Sequence, residues 1–180
     1  MRKTKALLND MGLIRRQSSQ EALPLSKKQF VKKVSILIAA RNEADNIIAC
    51  LQSVAALSYP PEYLQVLIGD DASEDATAAL VREFIQDKPH FELMEIHSQL
   101  PQSAQTPQRK LLKGKTNVLA QLAHKATGDY LFFTDADIQV PTEWINNMLA
   151  HFKPNVGIVT GITIMKGGGL LGLMQSLDWF

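Results

Sequence analysis

The sequence predicts a three-layer α/β/α fold, a mainly parallel sheet flanked by helices. Short apolar, β-branched-rich runs alternate with segments whose apolar residues recur at three- and four-residue spacing, the pattern of strand–helix units. The runs are continuously apolar, as in strands covered on both faces. Three of them end in polar clusters: Arg41-Asn42-Glu43, Asp70-Asp71 and Asp135-Ala136-Asp137. Parallel strands collect such clusters along one edge of the sheet, where open α/β folds bind ligands.

Residues 1–33 read as a lead-in, with two short apolar patches followed by Arg15-Arg16 and then a polar stretch containing Pro24. A frayed, solvated tail and a short basic amphipathic helix against a membrane are both compatible with it, and Asp10 and Gly12 weaken the helix. Residues 34–40 are the first strand. Asn42 is positioned to cap a helix whose apolar side is Ile47, Ile48, Leu51 and Val54, closed by Pro60-Pro61. Residues 64–69 form the second strand. Ser73 is a candidate N-cap for the next helix, with Glu74 and Asp75 suited to its positive end. A third strand is expected at 91–97 and a polar loop at 98–108. Lys113-Gly114-Lys115 leads into a helix through Val118, Leu119 and Leu122. Residues 130–133, entered through Gly128-Asp129, read as a buried strand ending at the acidic cluster. Pro141 opens a further helix. Residues 156–160 read as another strand, and Gly167-Gly168-Gly169 as a joint before an apolar helix at 170–180.

Composition narrows the function classes. With 46% hydrophobic and 21% charged residues the chain has the balance of a globular domain. The formal charge of +1 hides an asymmetry: residues 1–33 hold nine Lys/Arg and two acids, and the rest ten Lys/Arg and sixteen acids. A mildly acidic folded part argues against a nucleic-acid partner. The lone Cys50 excludes an intrachain disulfide, and no apolar stretch reaches the roughly 18–20 residues of a spanning helix. The four histidines show no metal-ligand spacing. No Walker-type phosphate loop is present and no Gly-x-Gly-x-x-Gly follows the first strand, which argues against a P-loop NTPase and an ordinary dinucleotide-binding dehydrogenase.

Asp135 and Asp137 are the strongest chemical signal. Two carboxylates at the end of an apolar strand repel each other and resist desolvation, and a divalent cation relieves both difficulties. Mg²⁺ or Mn²⁺ held by one or two carboxylates keeps positions open for a diphosphate. Lys113 and Lys115 are suited to a phosphate group, although surface lysines are common. Asn42-Glu43 and Asp70-Asp71 have helix-capping explanations of their own. Cys50, with no base nearby in sequence, reads as a buried, inert thiol.

In order and spacing, Val34-Ser35-Ile36-Leu37-Ile38-Ala39-Ala40-Arg41-Asn42-Glu43, Ile68-Gly69-Asp70-Asp71-Ala72-Ser73-Glu74-Asp75, Gly114-Lys115 and Thr134-Asp135-Ala136-Asp137 resemble the nucleotide-sugar half of family-2 glycosyltransferases. The likeness is greatest to processive or membrane-associated bacterial members. It implies the Rossmann-like GT-A fold, incomplete at the C-terminus, with residues 1–33 as a basic linker and 34–180 as a partial nucleotide-sugar-binding domain. It implies a donor site of Ala40, Arg41, Asn42, Glu43, Asp70, Asp71, Lys113, Lys115, Asp135 and Ala136. Within it Glu43 lies near the ribose or base, and Asp71 accepts from the base's imide N–H. Asp137 is then the main metal ligand, assisted by Asp135. The implied activity is inverting, metal-assisted transfer from a nucleotide sugar, most commonly a UDP sugar, to a saccharide or lipid-linked acceptor. The setting implied is the cytoplasmic side, at the inner membrane in a full-length protein. The catalytic base is expected downstream of Phe180, so this chain alone is expected to bind without turnover. Gly69 stands where an aliphatic residue is more usual, and Ala72 where glycine is. Two other readings remain open: a non-catalytic nucleotide-binding module of the same fold, and a phosphotransfer domain with Asp70, Asp71 and Asp135 as an acidic Mg²⁺ pocket.

Overall fold

The computed structural model describes residues 31–96 and 113–162. The lead-in up to residue 30, the polar loop at 98–108 and the apolar C-terminal stretch lie outside the described residues. The described chain runs β1 (Val34–Ala40), α1 (Ile47–Ala55), a short 3-10 turn (Pro61–Tyr63), β2 (Leu64–Asp70), α2 (Thr77–Ile85), β3 (Phe91–Glu95), α3 (Lys115–Lys125), β4 (Tyr130–Asp135) and α4 (Trp144–Leu149).

The sheet has the order β3-β2-β1-β4, with every neighbouring pair parallel. Parallel strands need covering on both faces, and this chain supplies two apolar layers. On one face Val34, Ile36, Ile38, Val66, Ile68 and Phe132 meet Ile47, Cys50, Leu51 and Val54 of α1, Val81 of α2 and Ile145 of α4. On the other, Leu37 and Leu67 meet Val118 and Leu122 of α3. Each such fully buried aliphatic side chain is worth roughly 1.5–3 kcal/mol. The predicted three-layer architecture is therefore the observed one.

Two sequence-based expectations about strands are corrected. Residues 156–160 form no strand: Ile158 is 82% exposed, and no strand of the sheet lies beside them among the described residues. β4 is only half buried. Leu131 and Phe133 share the α3 face with their register partners Ser35 and Leu37, yet remain exposed. The physical reason is that α3 packs on β1 and β2, leaving this side of the outer strand bare.

The register of β4 is set at its entry. The buried Ser35 hydroxyl donates to Gln65 Oε1 at 2.7 Å and accepts from Gly128 N at 2.9 Å. Gln65 Oε1 also accepts from Thr127 N at 2.9 Å. Asp129 N then donates to Lys33 O at 2.7 Å. These bonds satisfy the buried hydroxyl and place Tyr130 opposite Val34, which brings Asp135 level with Ala39 at the far end.

Gly128 permits this close approach: a Cβ there would lie 2.5 Å from Ser35 N and 2.7 Å from Val34 C. Gly69 is explained similarly, because a Cβ would collide with Val118 Cγ1 under α3. An aliphatic residue does not fit unless α3 moves. Gly128→Ala is expected to destabilise by about 3 kcal/mol, since only backbone can yield. Gly69→Ala is expected to cost less, about 1–2 kcal/mol, because a side chain can rotate away. Urea unfolding of both variants checks the order, and equal or reversed losses would contradict it.

Candidate functional site

The carboxyl ends of β1, β2 and β4 lie side by side: Ala40 is the register partner of Asp70, and Ala39 of Asp135. The three polar clusters therefore share one sheet edge. The side chains divide into an exposed set and a supporting set.

The supporting set faces inward. Ala40 is buried, and its carbonyl accepts from Asp71 N at 2.9 Å, locking the start of one loop to the end of the neighbouring strand. Asp70 is only 6% exposed. Its Oδ2 accepts from Ser73 N at 3.3 Å, while Oδ1 has no partner among the described residues. Ala136 is also buried, in the α1 layer, so its methyl serves packing. It anchors the exposed Asp135 and Asp137 on either side of it in sequence, in a turn closed by Ile138 N donating to Asp135 O at 3.2 Å.

The loops after β1 and β2 are bonded to each other. Asn42 N donates to Ser73 Oγ at 3.0 Å, and Asn42 Oδ1 accepts from Glu74 N at 2.8 Å. Glu43 N donates to the buried Thr77 hydroxyl at 2.8 Å, and Ala44 N to Asp75 Oδ2 at 3.0 Å. Two expectations change here. Asn42 does not cap α1, which begins at Ile47 with Asn46 preceding it, and Ser73 does not cap α2, which begins at Thr77. Both bond across the loops, because Asn42 (φ 54°) and Ala72 (φ 53°) adopt left-handed backbone that turns the chain before either helix starts. This is also the physical reason why glycine suits position 72. The roles of Ser73, Asp75 and Thr77 as a clasp between loops were missed from sequence. Their available signal was a run of short side-chain acceptors beside the other loop's N–H groups, which only the register reveals.

The exposed set is charged. Arg41 Nη1 lies 3.7 Å from Asp71 Oδ2, with side-chain exposures of 61% and 20%. Lys115, the first residue of α3, places Nζ 2.5 Å from Asp135 Oδ1. Both members of that pair are more than half exposed, at 55% and 57%. Asp137 is exposed and has no hydrogen-bond or ion-pair partner among the described residues. Lys113 is exposed and joins none of the others. Cys50 sits beneath: its thiol donates to Asp135 O at 3.5 Å, and its pKa is pushed up to about 12 by burial first, then by Asp137, Asp135 and Glu43. Burial and neighbouring carboxylates thus keep this thiol un-ionised, as expected of an inert cysteine.

Asp135 and Asp137 are both exposed, so the expected desolvation of the pair is not what a cation would relieve here. They still suit Mg²⁺ or Mn²⁺ in chemistry: hard oxygen donors, with Asp137 uncommitted and an edge open to phosphate and water. Among the described residues no three His, Cys, Asp or Glu side chains gather to enclose a metal. Two concavities lie elsewhere: about 340 Å³ lined by Gln65, His90 and Thr127 at the opposite edge, and about 470 Å³ lined by Met148, His151 and Ile158 beside α4.

The profile of the family described as "Glycosyl transferase family 2" matches residues 35–178. Among curated proteins, a poly-beta-1,6-N-acetyl-D-glucosamine synthase of Staphylococcus epidermidis is 28% identical over 157 residues, covering 86% of this chain and 34% of that protein. The synthase of Staphylococcus aureus (strain MW2) is 30% identical over 149 residues, covering 81% and 32%. This chain therefore spans about a third of the length of the curated relatives it matches. Among solved structures, mannosyltransferase PcManGT from Pyrobaculum calidifontis, in complex with GDP-Man and Mn²⁺, superposes with TM-score 0.55 at 27% identity, covering 67% of this chain and 32% of that one. S. aureus TarS 1–349 in complex with UDP-GlcNAc shares the fold with TM-score 0.51 at 22% identity, covering 66% of this chain and 30% of that one.

The clasp has a pH signature. The Thr77 hydroxyl, then Thr77 N–H and Ala44 N–H, donate to Asp75 and hold its carboxyl below the ordinary value of 3.8. A depressed carboxyl contributes stability that is complete above 3.8 and is lost as pH falls through its lower folded value. Asp75→Asn is expected to lower Tm near neutral pH, with the gap to the unmodified chain narrowing below that value. Thermal unfolding across the acid range checks this, and a constant gap would count against the clasp.

Proposed function

The chain belongs to glycosyl transferase family 2, and from that premise we propose that its β1–β2–β4 edge binds a nucleotide-sugar donor for metal-assisted, inverting transfer to an acceptor. The observation that carries the reading is the convergence of Arg41-Asn42-Glu43, Asp70-Asp71 and Asp135-Ala136-Asp137 on one edge, with Lys115 beside them. In this reading Asp71 accepts from the base and Glu43 lies near the ribose. Lys115 meets the diphosphate, joined by Lys113, and Asp137 with Asp135 holds Mg²⁺ or Mn²⁺.

The metal's contribution when bound is to offset negative charge on the departing nucleoside diphosphate. The protein's contribution is position. The clasp fixes Arg41 and Glu43 relative to Asp71, and the buried Ala136 fixes the two aspartates, so little ordering remains when the donor arrives. The mannosyltransferase with GDP-Man and Mn²⁺ supports a nucleotide sugar and a divalent cation, and the donor proposed here is a UDP sugar. A saccharide or lipid-linked acceptor, a role in cell-envelope polysaccharide or glycolipid synthesis, and a site on the cytoplasmic side of a membrane complete the proposal for the whole protein. The base that activates the acceptor is assigned to the part of such proteins that lies beyond this chain.

Calorimetric titration with UDP, GDP and their sugars, with and without Mn²⁺, tests the reading. Binding of at least one nucleotide is expected, strengthened by Mn²⁺. Asp137→Ala is expected to remove the Mn²⁺-dependent part, about tenfold or more in Kd, and leave the fold intact by circular dichroism. A folded chain that binds no nucleotide would refute the donor site, and unchanged Mn²⁺ dependence in Asp137→Ala would refute the metal assignment.

A further inference from the structure

We propose that Lys115 is an exchangeable counter-ion that occupies Asp135 until a diphosphate draws it away, making divalent-cation binding depend on the nucleotide. The proposal rests on the donor-site reading and deepens it. Lys115 Nζ lies 2.5 Å from Asp135 Oδ1, and Asp135 belongs to the pair assigned to the cation. The same ammonium belongs to the residue placed to meet the diphosphate. The two anions would compete for its three N–H donors. A diphosphate offers more negative charge than one carboxylate and is the stronger attractor.

The geometry favours exchange over a fixed bridge. Lys115 is 55% exposed on the first turn of α3, and no other side chain holds its ammonium among the described residues. Gly114 before it (φ 57°) has no atom of the described residues within 4 Å of where a Cβ would sit. Asp135 Oδ1 is committed to Lys115, while Asp137 is uncommitted. Without nucleotide, a cation at this edge therefore has one free carboxylate and a competing ammonium. With a diphosphate present, the ammonium moves to phosphate and both carboxylates become available. Cation and nucleotide then strengthen each other's binding by the same factor, as linkage requires.

The test is Mn²⁺ binding to the 180-residue chain, read by calorimetry and by the loss of the free Mn²⁺ electron-paramagnetic-resonance signal, with and without UDP. Lys115→Met is expected to raise Mn²⁺ affinity without nucleotide by about fivefold, the upper worth of a half-exposed ion pair. It is also expected to lower UDP affinity and shrink the mutual enhancement. Lys153→Met removes an exposed lysine that makes no ion pair among the described residues and lies outside the proposed site, and is expected to change nucleotide-free Mn²⁺ affinity by less than about twofold. If Lys115→Met leaves that affinity unchanged or weakens it, or if Lys153→Met matches it, the exchange is overturned while the donor site stands. If the unmodified chain binds neither UDP nor Mn²⁺ in any combination, both fail together.

Discussion

The register of β4 against β1 is the constraint on which the site depends. Asp135 reaches Lys115 because it is level with Ala39, on the face of the sheet covered by α3. That level is decided at the opposite end, where Gly128 comes close enough for its N–H to meet the Ser35 hydroxyl. A slip of one residue would turn Asp135 to the α1 face and expose Phe132, which is buried against Trp144 with ring centroids 5.1 Å apart. The apolar pattern of β4 and the chemistry at its tip are consequences of one alignment. A glycine whose role is packing thus determines where two carboxylates stand.

The second support is the clasp between the loops after β1 and β2. Left-handed backbone at Asn42 and Ala72 costs about 1–2 kcal/mol at each non-glycine residue. Inter-loop bonds from Asn42, Glu43 and Ala44 to Ser73, Thr77 and Asp75 offset this at about 1 kcal/mol each. What results is two loops that move as one. Arg41 and Asp71 lie at its outer rim, 3.7 Å apart.

Much of this was legible in the sequence, for physical reasons. Continuous runs such as residues 34–40 announce strands covered on both faces, and polar clusters after successive strands announce a shared edge once the strands are parallel. What was not legible depends on neighbours. Asn42 and Ser73 have the chemistry of N-caps, but a left-handed turn at each loop made them partners of the opposite loop. Gly69 looked like a missing aliphatic side chain, and only the nearness of Val118 shows that the space is already filled. Phe133 looked like core because its neighbours are, yet burial requires a covering layer, which strand propensity does not supply. Residues 156–160 have the composition of a strand without a strand beside them among the described residues.

The exposure of the two aspartates changes what a cation is for. A buried carboxylate pair would need the metal to fold, and binding would be inseparable from stability. Here Asp135 and Asp137 stand in solvent, where repulsion between them is screened and Lys115 compensates one of them. Arg41 stands beside Asp71 in the same way. Asp71 and Asp135 are thus paired before any ligand arrives while Asp137 is not, and the edge's anchors (Ala40, Asp70, Thr77 and Ala136) are buried independently of a ligand. On the donor-site proposal, such a site would discriminate by exchange: a ligand would have to offer each charged group a better partner than the one it has. A lone divalent cation would compete with Lys115 for Asp135, and a lone diphosphate would have to draw Lys115 from it. A metal–diphosphate pair would meet both demands together, because its anionic oxygens would take the lysine while its cation took the carboxylates. The same exposed charges would therefore favour the complete ligand over either part.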